Sequence, residues 1–297
     1  MGKIIKGIIF SVFCLIILTA EGKATENHKS LSFKISGKYG TLNLSNLNSF
    51  LSDTEVYYDT LLQPYGFTKA NAMKGFRNSP EMNIEFVMQL SKHFGIGLEV
   101  GYSSKTQNSD IVWESSEYGK FSLDVKPTMN FIPIVLSGYF FLPLNSVARA
   151  YIKGGTGIYE FNSKFMFDEN SQIEGEEFFS SSEFIIDGKG LGLNGGLGLE
   201  FDFGSSMAFF IEGTGRYTNF NSRDGYLNIV DSQGVRFKEG NMWFFEYYDE
   251  NISRYLSGIT CGDKPEGVDV RNVHRLKIEL SGFSIRVGFR IGLGNWE

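Results

Sequence analysis

The sequence has little of what holds together disulfide-stapled or metal-bound folds. Its 297 residues include two Cys and three His, too few for a disulfide framework or a His- and Cys-rich metal site. Charged residues make up only 21% and aromatic residues a full 15%, which excludes a disordered chain. The net charge of −6 argues against a nucleic-acid partner. We therefore expect neither a metal nor a cofactor.

Long apolar runs are also missing beyond the N-terminus. No run there reaches the roughly 18 residues that a membrane-spanning helix needs, so a helical membrane protein is excluded. A transmembrane β-barrel is compatible with this composition. Its strands alternate apolar and polar residues, and the average is the near-neutral mean hydropathy found here.

The N-terminus has the three parts of a secretory signal peptide. Lys3 and Lys6 precede an apolar stretch, residues 7–18, and small residues follow. Cleavage after Ala20 or after Ala24 fits the pattern equally. The expected organisation is a signal peptide over residues 1–24 and a single barrel domain over residues 25–297.

Period-2 alternation dominates the rest of the chain and predicts eight strands. They lie at about residues 31–39, 82–89, 94–102, 125–141, 148–163, 191–203, 207–217 and 283–293. Three connections are short, at residues 90–93, 142–147 and 204–206. Four are long, at residues 45–79, 106–124, 164–188 and 221–274. This predicts an all-β fold, an eight-stranded antiparallel up-and-down transmembrane β-barrel with short periplasmic turns and long extracellular loops.

The two faces of the predicted strands differ in chemistry. One face carries Leu, Ile, Phe and Val, as lipid contact requires, and the other carries Gly, Ser, Asn and charged residues. Aromatic residues near strand ends predict two interfacial girdles. One comprises Phe94, Phe203, Phe209 and Phe289, and the other Tyr102, Tyr159 and Tyr217.

These patterns resemble the eight-stranded outer-membrane barrels of diderm bacteria, the OmpA-like and OmpW-like group. The resemblance rests on the hairpin formed by residues 190–203 and 207–217 and on the closing strand, residues 280–293. It implies a location in the outer membrane with both termini in the periplasm. It also implies outer-membrane lipid and the barrel-assembly machinery as partners.

Charged residues on the predicted inward faces are the first candidate site. They fall at similar depth when counted from the short turns, and an eight-stranded barrel is just wide enough to be filled by side chains. We expect them to pair as a structural plug, and a gated ion path is the alternative. They are Lys34, Glu85, Glu99, Lys153, Glu200, Glu212, Arg286 and Arg290.

The long connections hold two further features. Residues 164–188 contain seven acidic residues, which we expect to form a solvated loop; loose calcium binding is the alternative. Residues 221–274 contain an aromatic cluster, expected to fold down as a lid or short helix or to present a ligand or partner surface. Its members are Trp243, Phe244, Phe245, Tyr247 and Tyr248. Weak helical spacing over residues 46–62 predicts a helix against the rim.

We expect a barrel with a structural or surface-interaction role, a plugged lumen and no enzymatic activity. A narrow channel or conduit for ions or small hydrophobic solutes is the alternative. A lipid-modifying enzyme is a further alternative, because His274 lies near the outer rim and could meet Ser281 or a loop acid. A soluble lipocalin-type barrel is disfavoured, since it would place its apolar face inside.

Overall fold

The structure, a computed structural model, describes residues 30–173, 176–204, 206–231 and 233–293. The proposed signal peptide lies outside these residues. One α-helix, α1 (Ser45–Leu62), is followed by a short 3₁₀ turn (Gln63–Tyr65). The strands in chain order are β1 (Ser30–Thr41), β2 (Thr68–Lys69), β3 (Asn78–Gln89), β4 (Phe94–Thr106), β5 (Ser109–Ser115), β6 (Gly119–Val125), β7 (Thr128–Pro143), β8 (Ala148–Ile173), β9 (Glu176–Phe203), β10 (Met207–Asp231), β11 (Gly234–Gly240), β12 (Met242–Asp249), β13 (Arg254–Cys261), β14 (Val270–Arg275), β15 (Lys277–Glu279) and β16 (Gly282–Gly292).

Eight of these strands close into a barrel. Each pairs antiparallel with two neighbours in the order β1, β3, β4, β7, β8, β9, β10, β16, and β16 returns to β1. The closing pair runs from Ser32 opposite Gly292 to Gly40 opposite Ser284. Ring closure leaves no free edge among the eight strands, and the predicted eight-stranded antiparallel barrel is confirmed.

The barrel has two unequal ends. The short connections, the start of β1 at Ser30 and the end of β16 at Gly292 lie at one end. Three of the four long connections at the other end are mostly strand. Within the segment 164–188, expected to be a solvated loop, residues 164–173 continue β8 and residues 176–188 continue β9, and the two are paired along their length. The described part of this segment is therefore paired strand, because cross-strand backbone pairing persists where the sequence turns acidic.

The barrel strands reverse polarity along their length. We define the lower section as the strand segments between the short turns and the level of Tyr39, Tyr102 and Tyr217, and the upper section as everything beyond. In the lower section the outward residues are mostly apolar or glycine, and the inward ones include the buried charged side chains together with Val87, Phe141 and Phe210. On β4, outward side chains run from Phe94 to Tyr102. That nine-residue span matches the roughly 9–11 residues with which a strand crosses a bilayer.

One predicted girdle member does not belong to the outer surface. Tyr102 and Tyr217 are exposed on the outside, but Tyr159 is fully buried in the interior. Tyr159 follows Tyr151, Lys153 and Gly157 on the inward face of β8, so the period of two excludes it from the girdle. At the other rim Phe94, Phe203 and Phe289 are exposed as predicted.

The upper section has an apolar core of its own. Phe165 and Phe167 of β8, Trp113 of β5 and Leu47 and Leu51 of α1 are buried together there. The helix predicted over residues 46–62 is confirmed, and it lies over this core. Among the described residues, no helix has the length and apolar character needed to cross a membrane.

Candidate functional site: the ion-paired interior and its cap

The interior of the lower section is filled with charged side chains. All eight residues singled out from the sequence lie there, at most 3% exposed. Lys38 and Glu81 are buried beside them, which makes ten buried charged residues, five of each sign, in the described part of the chain. Because a buried charge without a partner costs several kcal/mol, this balance is what permits the arrangement.

The layer nearest the short turns is centred on Glu200. Lys34 Nζ lies 2.6 Å from one carboxylate oxygen, and Arg149 Nε lies 2.6 Å from the other. Arg290 Nε is 3.4 Å from Glu200, while its Nη2 lies 2.5 Å from Asp202. The single buried carboxylate therefore meets three cations from three different strands.

The middle layer joins three carboxylates to two cations. Arg286 Nη1 lies 2.7 Å from Glu85 and 3.0 Å from Glu99. Lys153 Nζ lies 2.8 Å from Glu212 and 3.1 Å from Glu99. These bonds run between β3, β4, β8, β10 and β16, so the network crosses the lumen from wall to wall.

Aromatic side chains complete the two lower layers. Tyr139 donates a hydrogen bond to Glu85, and Tyr151 donates one of 2.7 Å to Glu212. Lys34 Nζ lies 4.2 Å from the centre of the Tyr151 ring and 4.8 Å from that of Phe210. Such cation–π contacts fill the space between the Glu200 layer and the middle layer. The lumen is consequently occupied by side chains at both levels.

A third layer lies below the upper section. Arg216 Nη1 is 2.9 Å from Glu81, and Lys38 Nζ is 3.4 Å from the same residue. Arg216 also covers the ring of Phe131 at 4.7 Å, and Phe131 belongs to the apolar core above. This layer is where the polar interior meets the apolar one.

Depth counting alone missed part of this network. Lys38, Glu81, Arg149, Arg216 and Asp202 were not among the predicted residues, although each forms an ion pair. The alternation of inward residues could have identified two of them. Lys38 follows Lys34 by four residues, and Glu81 precedes Glu85 by four, so each pair lies on one inward face.

The aromatic cluster of residues 243–248 is neither a helix nor a loop. It forms β12, which pairs with β13 and β14 in a separate three-stranded sheet. Phe244 is buried in the upper core, Trp243 Nε1 donates to the carbonyl of Gly262 at 2.9 Å, and Tyr248 is partly exposed. Phe245 and Tyr247 are half-buried, with ring centres 6.0 Å apart. The short helix, one of the expected forms, is wrong, because the segment is a strand whose alternate residues face the core.

Helix α1 holds the two parts of the upper section together. On one side Tyr58 donates a 2.5 Å hydrogen bond to Glu169 of β8, and Asp59 accepts one of 2.8 Å from Trp113 Nε1. On the other side Asp53 lies 3.0 Å from Arg254 at the start of β13. Burial and the adjacent Glu169 raise the pKa of Tyr58 well above its usual value, so its hydroxyl remains a donor.

The residues considered for a lipid-modifying enzyme, His274 and Ser281, make structural contacts instead. His274 stacks on Phe244 at 5.2 Å, and its Nδ1 lies 2.8 Å from the carbonyl oxygen of Arg275. Ser281, its suggested partner, bonds Thr218 instead. Within the residues that the structure describes, no three His, Cys, Asp or Glu side chains are grouped to hold a metal ion.

Comparisons with known proteins give similarity at the level of fold. No family model and no curated protein matches the chain. The outer membrane protein OprG from Pseudomonas aeruginosa is 12% identical with a TM-score of 0.37, and the match covers 91% of this chain and 99% of OprG. Ail, the attachment invasion locus protein of Yersinia pestis, is 11% identical with a TM-score of 0.33, over 90% and 100% of the two chains.

These scores are low, and the fold assignment rests on this chain's own strand pairs. The closed ring of eight strands, the apolar outer surface and the ion-paired interior are those of a transmembrane type of β-barrel.

Proposed function

We propose that this protein is an integral outer-membrane barrel whose lumen is sealed, with the upper section standing outside the cell as an interaction surface. One observation carries the proposal: the ion-paired layers around Glu200, Arg286 and Glu81 fill the lower section from wall to wall. A second supporting feature is the apolar core above them, which covers the mouth of the barrel.

The outer-membrane location follows from the surface chemistry of the lower section. Its outward side chains are apolar over the height of a bilayer, and its backbone groups are paired around a closed ring. Fractionation should recover the mature protein with the outer membrane, with its N-terminus beginning after Ala20 or Ala24. Recovery of a soluble periplasmic protein would overturn this location.

The sealed lumen is tested by single-channel recording in planar bilayers. Wild type should insert without conducting steps, because side chains occupy the path. A Glu85→Ser/Arg286→Ser variant serves as the positive control, since it removes a 2.7 Å ion pair, opens space and keeps the interior charge balanced. Regular conducting steps in wild type would overturn the sealed lumen and favour the narrow channel.

The interaction role of the upper section is supported by exposed apolar side chains. Phe178 and Phe179 near the tip of the β8–β9 hairpin, and Val235 and Phe237 of β11, are exposed there. Deleting the tip of the β8–β9 hairpin should leave assembly of the barrel intact. It should also abolish the attachment of intact cells to a surface that cells carrying the wild-type protein bind. Unchanged attachment would contradict this role.

A further inference from the structure

Glycines replace large outward side chains in one part of the lower section. Gly138, Gly154, Gly195 and Gly215 are successive register partners on β7, β8, β9 and β10, so they form a row across four adjacent strands. Gly213 lies on the same outward surface two residues lower on β10. The belt of apolar side chains is therefore interrupted at this row.

Packing within the chain does not explain these outward glycines. A Cβ on Gly213 would meet nothing within 4 Å, and one on Gly195 only the carbonyl oxygen of Lys153 at 3.7 Å. The inward Gly198 is different, since a Cβ there would lie 2.3 Å from the ring of Tyr151. Interior glycines make room for lumen side chains, whereas the outward ones leave space on the surface.

That space is a groove of about 820 Å³. Gly195, Gly213 and Gly215 form its floor, and Ile152, Leu197 and Ile285 are among its apolar walls. Its volume lies within the roughly 300–1,000 Å³ of small-molecule sites. The walls belong to the surface that faces hydrocarbon, where water cannot fill a groove and an apolar occupant is required.

The upper end of the groove is polar. Thr41 and Asn78 line it there, and Asn78 Nδ2 donates a 3.4 Å hydrogen bond to the hydroxyl of Tyr39. Tyr39 lies at the level of Tyr102 and Tyr217, where the apolar belt ends. The groove thus runs from a hydrogen-bonding rim into an apolar trough.

We propose that this groove binds one acyl chain of a membrane lipid, with the ester or amide linkage of that lipid at Thr41 and Asn78. The proposal rests on the membrane location proposed above. A narrow, flexible methylene chain can follow the glycine floor, and its polar linkage meets the end of the groove lined by Thr41 and Asn78.

The test is native mass spectrometry of the purified mature protein in detergent, titrated with dipalmitoyl phosphatidylethanolamine. Wild type should bind one lipid more tightly than any further lipid. Gly213→Leu should weaken that first step about tenfold or more, because the leucine occupies the trough. The lyso form, with one palmitoyl chain, should bind wild type at the same site.

Gly138→Leu is the matched control. Gly138 lies in the same glycine row, and a Cβ added there would be 3.9 Å from its nearest atom. Gly138 does not line the groove. Both variants should show the heat-modifiable gel migration of a folded barrel, and Gly138→Leu should bind lipid as wild type does.

Equal lipid binding by wild type and Gly213→Leu would overturn the proposal, as would an equal loss in both variants. A wild-type dimer lost only in Gly213→Leu, with lipid binding unchanged, would overturn it in favour of a second copy of the chain. These outcomes are independent of fractionation and conductance. A sealed outer-membrane barrel with unchanged titration contradicts only the groove, whereas a soluble or conducting wild type contradicts the proposed function.

Discussion

The lower and upper sections are built from the same strands but pack in opposite ways. On β8 the inward Lys153 of the lower section is succeeded by the inward Phe165 of the upper section, both buried. On the outward face, exposed Ile158 is succeeded by exposed Asn162. The period of two never changes along the strand, but the polarity of each face is reversed.

This reversal shows what stabilises each section. In the upper section, burying apolar surface away from water provides the driving force, as in a water-soluble domain. In the lower section lipid is as apolar as the side chains that face it, so an apolar interior would gain nothing from that source. Ion pairs and hydrogen bonds hold the lower interior together, which predicts that comparable substitutions have effects of different size in the two sections.

The largest effect is expected from removing a cation in the lower interior. Arg286→Met leaves Glu85, Glu99 and Glu212 with too little compensating charge and should lower the free energy of unfolding by about 3–5 kcal/mol. Urea unfolding in detergent, followed by gel migration, measures it. The control is Arg271→Met in the upper section, whose exposed pair with Glu246 contributes about 0–1 kcal/mol. Similar losses in both variants would break the comparison.

A double variant sharpens this result. Adding Glu212→Gln to Arg286→Gln removes one of the uncompensated carboxylates and should recover part of the stability lost in Arg286→Gln alone. Arg286 Nη1 lies 3.6 Å from Glu212 Oε1. If the losses in free energy of unfolding of the two single variants simply add in the double variant, the two residues do not interact.

A comparable loss is expected from a cavity in the upper core. Phe165 is 1% exposed, and Phe165→Ala should cost about 3–5 kcal/mol. Phe283 is 80% exposed on the outer surface of the lower section, so Phe283→Ala in the same assay should cost far less. A larger loss for Phe283→Ala would mean that the apolar face of the lower section packs against protein.

A charge introduced on the outward face should give a smaller difference in stability between the two sections. Ile285→Arg places a guanidinium in hydrocarbon and should cost about 2–4 kcal/mol and impair assembly. Asn170→Arg, at an exposed position of the upper section, should stay within about 0.5 kcal/mol of wild type. Ser284→Arg probes the inward face and should act through lumen packing. Normal assembly of Ile285→Arg with loss of Ser284→Arg would show that the faces are reversed.

The smallest effect is expected at the attachment of α1. Tyr58→Phe removes the hydrogen bond to Glu169 and should cost about 1.5–3 kcal/mol. Because the pKa of Tyr58 is raised in the folded state, its contribution is complete below the ordinary tyrosine pKa of about 10 and is lost as pH rises further. Unfolding measured from neutral to alkaline pH should show less pH dependence in Tyr58→Phe. Tyr65→Phe, at an exposed tyrosine, should retain the wild-type dependence.

The sequence predicts the lower section well, since alternation there is regular and most of its outward residues are apolar. It predicts the upper section poorly for a physical reason. Beyond residue 160 most outward positions of β8 become polar or charged, so the segment has the composition of a solvated loop although its inward Phe165 and Phe167 continue the strand. The pattern of a lipid-facing strand, with apolar residues outside, does not identify the same strand where its outer face contacts water.

The candidate site shows the same limit. Alternation places charged residues inside, but counting residues from the turns leaves both Arg286 and Arg290 as partners for Glu212. Register decides between them: Glu212 is directly opposite Arg286, and Arg290 lies opposite Ala208, near Glu200. Pairing identities depend on strand stagger, which a period of two does not encode.

The reversal itself is tested most directly by cysteine labelling along the outward face of β8. In a Cys261→Ser background reconstituted into lipid vesicles, single cysteines at Ile152, Ile158, Asn162 and Lys164 would be treated with a charged, membrane-impermeant thiol reagent. We expect Asn162→Cys and Lys164→Cys to react, and Ile152→Cys and Ile158→Cys to be protected by lipid. Equal reactivity at all four positions would contradict the claim that one strand passes from lipid into water between residues 158 and 162.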